Sequence, residues 1–131
     1  MTQEDYVSYE VAKLLKEKGF DWECLAYWFI GTDRNFSISK TPQNWNEVKT
    51  DLDWLSCPTH QMACKWLREK HVVIVVIPKS FYADGSCGSW AYSIWADDNS
   101  EVDGEEEWKE LYESYEQAIE KALKYSLKNL I

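Results

Sequence analysis

Three segments of the chain share one pattern, in which a hydroxyl side chain is followed four residues later by an alanine. The three pairs are Ser8 with Ala12, Thr59 with Ala63, and Ser114 with Ala118. Serine and threonine are preferred at helix N-caps because their side-chain oxygen accepts a hydrogen bond from the first turn. A small residue one turn later lets the start of a helix approach a sheet closely. We interpret the repetition as three helices that solve one packing problem, in preference to an old duplication.

Apolar residues at helical spacing predict three helices, over residues 8–19, 58–71 and 114–130. Thr59 is the predicted N-cap of the second helix, with Cys57 ahead of Pro58 as the alternative. The inner face of this helix is predicted to consist of three residues, Ala63, Trp66 and Leu67. The third helix begins with Ser114 and Gln117 at the spacing of a capping box.

Four segments predict strands. Residues 24–30 are rich in β formers and residues 36–39 alternate with period two, which indicates a hairpin. Residues 72–77 are apolar at every position, which predicts a central strand covered on both faces. Pro78 either ends that strand or marks a bulge. Residues 90–96 are the fourth predicted strand.

The predicted order is therefore α-β-β-α-β-β-α, and the predicted fold class is α+β. We expect a four-stranded, mainly antiparallel sheet with helices packed on one face, in one domain that spans residues 1–131. Residues 40–57 are the hardest to interpret, although apolar residues at helical spacing favour a turn or two of helix after Pro42. The strand order stays open.

The charge is concentrated in one stretch. Residues 97–120 hold eleven carboxylates and one lysine, a local balance of −10 in a chain whose net charge is −9. A basic footprint is absent, so we expect no direct nucleic-acid binding. The stretch is interpreted as a solvated acidic loop that leads into a helix start. Residues 99–110 also loosely follow a calcium loop, but Glu106 replaces the apolar residue that normally anchors such a loop.

The cysteines predict neither a disulfide framework nor a metal centre. We expect four free thiols in a reducing cytoplasm, those of Cys24, Cys57, Cys64 and Cys87. Zinc is the alternative at Cys57, His60 and Cys64, but their spacing matches no common zinc pattern. The first residues are polar and acidic, and the longest aliphatic run is too short for a membrane span. The expected location is the cytoplasm, with no cofactor and no membrane partner.

Aromatic residues carry the functional prediction. The chain has eight Trp and eight Tyr, and four of the Trp fall in predicted connections, namely Trp22, Trp45, Trp54 and Trp108. Exposed Trp and Tyr anchor protein partners, so these four residues are the candidate binding site for a protein partner or for a second copy in a homodimer. The alternatives are a cleft that binds a sugar or a nucleotide, and Trp rings that merely cover the edge of the sheet.

Catalytic motifs are absent from the sequence: there is no glycine-rich phosphate loop, no G-x-S-x-G and no H-E-x-x-H. A nucleophile at Cys57 or Cys64 with His60 would need an electropositive pocket that lowers the thiol pKa. The prediction is therefore a non-enzymatic protein-binding or accessory module.

The helical segments also resemble known sequences. The segments SYEVAKLLKEKGF (residues 8–20), PTHQMACKWLREKH (58–71) and YEQAIEKALKYSLKNLI (115–131) are similar to small proteins encoded by gut anaerobic bacteria, their phages and their mobile elements. The resemblance covers about a third of the chain. It implies a bacterial cytoplasmic or phage-related origin and carries over no catalytic or binding residue.

Overall fold

The computed structural model describes residues 3–31, 33–50, 53–96 and 111–131. In chain order the elements are α1 (Tyr9–Glu17), β1 (Cys24–Ile30), β2 (Arg34–Gln43), β3 (Asp53–Cys57), α2 (His60–Glu69), β4 (Val73–Phe81), β5 (Cys87–Trp95) and α3 (Tyr115–Asn129). Short 3-10 turns lie at Gln3–Asp5 and Trp45–Glu47. The chain divides into a first unit, Met1–Ala63, and a second unit, Cys64–Ile131. The predicted α+β class is confirmed.

The sheet arrangement differs from the prediction. The described residues form five strands in two antiparallel sheets, with orders β2-β1-β3 and β4-β5, and not a single sheet of four strands. The additional strand is β3, which lies in the stretch where helical spacing favoured helical turns. In the described part of that stretch, the helical conformation is limited to a 3-10 turn at Trp45–Glu47. That the chain is one domain with its helices on one face stays a prediction.

The three helix starts follow the predicted pattern. Each cap hydroxyl accepts a hydrogen bond from the third residue after it, in the pairs Ser8 with Val11, Thr59 with Met62 and Ser114 with Gln117. Each cap carbonyl accepts a hydrogen bond from the alanine four residues later, and all three alanines are fully buried. The capping box is shifted by one residue, because the Gln117 side chain accepts from the backbone N–H of Glu113 at 3.0 Å. Thr59 is therefore the cap of α2, and the N-cap alternative at Cys57 is wrong.

The sheet of the first unit has two different faces. Its helix-side face carries Trp28 with Leu55 opposite it. The indole N–H of Trp28 and the thiol of Cys57 both donate to the carbonyl of Val7, at 3.4 and 3.2 Å. Tyr9 of α1 meets the Trp28 ring edge-on at 6.1 Å. Side chains of successive strand residues point to opposite faces. Tyr27 of β1 therefore lies on the other face, together with Trp54 and Ser56 of β3.

In the second unit, α3 packs on the β4–β5 hairpin. Trp90 of β5 meets Tyr115 of α3 edge-on, with ring centroids 5.7 Å apart. The core of this unit consists of side chains with essentially no exposed surface, among them Tyr92, Ile94, Ile119, Leu123 and Leu127. The predicted inner face of α2 is also confirmed, because Ala63, Trp66 and Leu67 are all buried.

The prediction that residues 72–77 are covered on both faces is wrong. Val73 and Val75 are each 39% exposed, and among the described strands β4 pairs only with β5. Branched aliphatic side chains favour strands on open as well as covered faces, so a continuous run does not report two-sided burial. The predicted irregularity at Pro78 is confirmed, since the pairing of β4 with β5 shifts register between Pro78 and Ser80.

Two serines, one inside α3 and one at its N-cap, predict opposite effects of the same substitution. Within the described residues, Ser126 Oγ is the buried side-chain polar atom without a hydrogen-bond partner. Ser126→Ala should therefore raise the free energy of unfolding by about 1 kcal/mol, because an unsatisfied hydroxyl leaves the core. Ser114→Ala should lower it by about 1 kcal/mol, because the N-cap bond is lost. Denaturant titration measures both, and effects of equal sign would contradict these roles.

Candidate functional site

The aromatic cluster, defined as Tyr27, Phe29, Trp45 and Trp54, lies on the sheet face opposite to α1. Phe29 of β1 and Trp54 of β3 are paired across the strands, with ring centroids 4.7 Å apart. Tyr27 lies 4.2 Å from Trp45 and 5.2 Å from Trp54. The two indoles are nearly parallel, with an angle of 16° and centroids 5.7 Å apart. The four rings therefore form one continuous packed surface.

Trp45 is the buried base of this cluster. It is only 8% exposed, and its indole N–H donates to the carbonyl of Cys24 at 2.7 Å. Its backbone N–H donates to the hydroxyl of Ser56 at 2.9 Å. Asn46 locks the same turn, since its side chain donates to the Phe20 carbonyl and accepts from the Ser56 N–H, both at 2.9 Å. The indole N–H, which is the one polar group of the Trp45 side chain, is thus satisfied inside the fold.

Trp54 is the more accessible indole of the pair. Its side chain is half-buried, and its N–H donates to the Thr50 hydroxyl at 2.9 Å in an exposed setting. The Lys16 ammonium donates to its backbone carbonyl at 3.2 Å. The Trp54 ring is held by Trp45 and Phe29, and a ring held in this way offers apolar contact area at a low cost in side-chain entropy.

The four predicted Trp residues separate in the structure. Trp45 and Trp54 come together, although Trp54 lies in β3 and not in a connection. Trp22 does lie in the connection after α1, where its half-buried ring packs 6.0 Å from Phe20. Trp108 lies outside the described residues.

Two members of the aromatic cluster were not among the predicted site residues. Tyr27 and Phe29 belong to β1, a segment for which the sequence predicts a strand and no binding role. The signal that identifies them is the period-two alternation of a strand, which places residues 27 and 29 on one face. Their contact with Trp45 and Trp54 depends on the pairing of β3 with β1.

A second set of aromatic rings lies on the α1 side of the same sheet. Phe36 contacts Tyr6 at 5.3 Å and Trp28 at 5.5 Å, measured between ring centroids. The Arg34 guanidinium lies 4.0 Å from the ring centroid of Tyr9. These contacts attach the segment before α1 to β1 and β2, so their role is structural.

Two of the four thiols, those of Cys24 and Cys64, are poorly suited to nucleophilic chemistry. Burial raises the pKa of Cys24 to about 12. Burial also raises the pKa of Cys64 to about 11, although nearby Arg68 opposes the shift. The thiolate is the reactive and metal-binding form, so both groups are held inactive near neutral pH. All four cysteines are unbridged, and the described residues contain no group of three or more His, Cys, Asp or Glu side chains that could hold a metal ion. The calcium-like stretch 99–110 lies outside the described residues.

The raised thiol pKa values predict slow alkylation. At about pH 8, iodoacetamide should modify Cys24 and Cys64 far more slowly than an ordinary thiol, and each unit of pH should speed the reaction about tenfold below the pKa. The unfolded chain loses these protons first as the pH rises, so folding stability should fall above the ordinary thiol pKa of about 8.5. Peptide mass spectrometry follows the modification of each cysteine. Alkylation of folded Cys64 at the rate of a free thiol would contradict the burial argument.

No protein family, no curated protein and no solved structure matches this chain. Among the residues that the structure describes, no helix combines the length and the apolar character needed to cross a membrane.

Proposed function

We propose that this chain is a non-enzymatic protein-binding module, an accessory protein of bacterial or phage origin, and that it docks its partner on the aromatic cluster. The observation that carries the proposal is the pairing of two indoles with unequal roles. Trp45 is buried and hydrogen-bonded, whereas Trp54 lies above it half-buried, on the sheet face away from α1.

The cluster has the chemistry of a protein-binding hot spot. Trp and Tyr dominate the energetics of such sites because they bring large apolar area with few rotatable bonds. Stacking against Trp45 and contact with Phe29 hold the Trp54 ring in place before any partner arrives. A partner therefore loses less free energy to ordering this side chain than it would with a free Trp.

A binding role, as opposed to catalysis, is supported by the state of the thiols. Two of the four are held protonated by burial, and Cys57 donates to a backbone carbonyl in the core. A reducing cytoplasm is the proposed location, and the four unbridged cysteines support it. The bacterial or phage origin is supported by the resemblance of the three helical segments.

The second candidate is a small-ligand site for a sugar or a nucleotide. Trp54 and Tyr27 favour it, because two accessible rings 5.2 Å apart supply the flat apolar surface on which sugar rings and bases stack. The same residues would serve both functions. The identity of the bound molecule, a protein or a small ligand, therefore distinguishes the two candidates.

The test compares two Trp→Ala variants of the full chain. Trp54→Ala removes the accessible ring of the cluster, and Trp22→Ala removes a half-buried ring outside it, as a matched control. A tagged parent chain captures its partner from lysate of the host, and the purified partner is then titrated with each variant by calorimetry. We expect Trp54→Ala to weaken binding at least about tenfold and Trp22→Ala to leave it near the parent value. Circular dichroism verifies that both variants fold.

Two outcomes contradict the proposal. Equal affinity of the parent and Trp54→Ala for the partner would remove the cluster from the interface. Saturable binding of a sugar or a nucleotide that Trp54→Ala abolishes, with no protein partner captured by the parent, would favour the second candidate.

A further inference from the structure

The outer edge of β4 has no strand paired with it among the residues that the structure describes. Among the described strands, β4 pairs only with β5, so its other side carries a row of backbone donors and acceptors. Residues 73–77 on this edge read V-I-V-V-I, five β-branched residues in succession. Natural proteins normally blunt such edges with charges, prolines, bulges or short strands, because an open edge pairs with other chains.

The other sheet edges in the described residues carry protective features. β2 bears Arg34, Lys40 and Pro42 along its length. β3 has only five residues, and the side chain of Lys16 occupies one of its carbonyls, that of Trp54. The outer side of β5 is bonded at Trp90, which exchanges two backbone hydrogen bonds with Tyr112 at 2.9 and 2.8 Å.

On β4 the protective features begin only after residue 77. Pro78 lacks an N–H, Lys79 brings a charge, and the pairing with β5 shifts register between Pro78 and Ser80. The second half of the strand is thus blocked for further pairing, and the first half is not. This contrast within one strand identifies residues 73–77 as a docking edge.

We propose that β4 pairs antiparallel with β4 of a second copy of this chain, across a two-fold axis at Val75. In this register Val73 lies opposite Ile77 of the copy, Ile74 opposite Val76, and Val75 opposite Val75. Each cross-strand pair then joins two β-branched side chains, which pack well across antiparallel strands. A two-fold axis requires a self-complementary patch, and five β-branched residues in succession supply one because every pair across the axis is apolar.

The side chains on both faces of β4 select this occupant. On one face, Val73 and Val75 are 39% exposed, and Trp95, opposite Val73 on β5, is 38% exposed. On the other face, Ile74 and Val76 are half-buried and pair with the core residues Ile94 and Tyr92 of β5. A strand that is apolar on both faces matches this edge, and β4 itself is such a strand. The product is a sheet in the order β5-β4-β4-β5, with Val75 of one copy against Val75 of the other.

The test is the mass of the full chain in solution. Sedimentation equilibrium of the parent should give twice 15.5 kDa at high concentration and approach 15.5 kDa on dilution. Val75→Lys places a charge at the centre of the edge, on an exposed side chain, and should remain monomeric throughout. Ile38→Lys is the matched control, because Ile38 is 52% exposed on the edge strand β2, and it should dimerise like the parent.

Hydrogen exchange of the parent gives a second readout that needs no variant. The backbone amides of residues 73–77 should become more protected as concentration rises, while amides of β2 stay unchanged. A parent that is monomeric at all concentrations, or a Val75→Lys variant that dimerises like the parent, would overturn the proposal. The edge shares no residue with the aromatic cluster. A monomeric parent would therefore overturn the β4 pairing without affecting the proposal that a partner docks on Trp54, which the Trp→Ala variants test separately.

Discussion

The hydrogen bond from the Trp45 indole to the carbonyl of Cys24 is the interaction on which the proposed binding face depends. At 2.7 Å in a buried setting, it satisfies the one polar atom of a large apolar side chain and lets that side chain enter the core. Ser56 and Asn46 close the same network through the backbone. The Trp45 ring then provides a fixed surface against which Trp54 stacks, so a buried polar contact determines the geometry of an accessible aromatic one.

The need to satisfy polar groups also explains the sheet edges. The backbone N–H and C=O groups of an unpaired edge form hydrogen bonds either with water or with another strand. Pairing is blocked in a different way at three places. The Lys16 side chain donates to a carbonyl of β3, the backbone of Tyr112 is bonded to Trp90 of β5, and Pro78 of β4 lacks an N–H. In the described part of the chain, residues 73–77 carry no such feature, and self-association is therefore proposed there. Partner docking is proposed on the aromatic cluster.

Local chemistry was predictable from the sequence, and long-range pairing was not. The caps at Ser8, Thr59 and Ser114 were predictable because a hydroxyl bonds to residues within one turn of itself. The sequence did not predict β3, because a strand of five residues is specified by its partner β1, far along the chain. Val48 and Leu55 fit helical spacing by coincidence. The exposure of Val73 and Val75 was not predictable, because an exposed strand of high β propensity and a buried strand can have the same run of apolar residues in the sequence. Trp45 and Trp54 were identified as candidates, yet their stacking required the register of β3.

Hydrogen exchange at the Trp indoles, followed by NMR on protein labelled with ¹⁵N-tryptophan, most directly tests the unequal roles of Trp45 and Trp54. The Trp45 indole N–H should exchange only when the first unit unfolds, because it is buried and bonded to a backbone carbonyl. The Trp54 indole N–H, bonded to the exposed Thr50 hydroxyl, should exchange orders of magnitude faster. Equal exchange rates for the two indoles, or slower exchange at Trp54, would contradict the division between a buried base and an accessible binding ring.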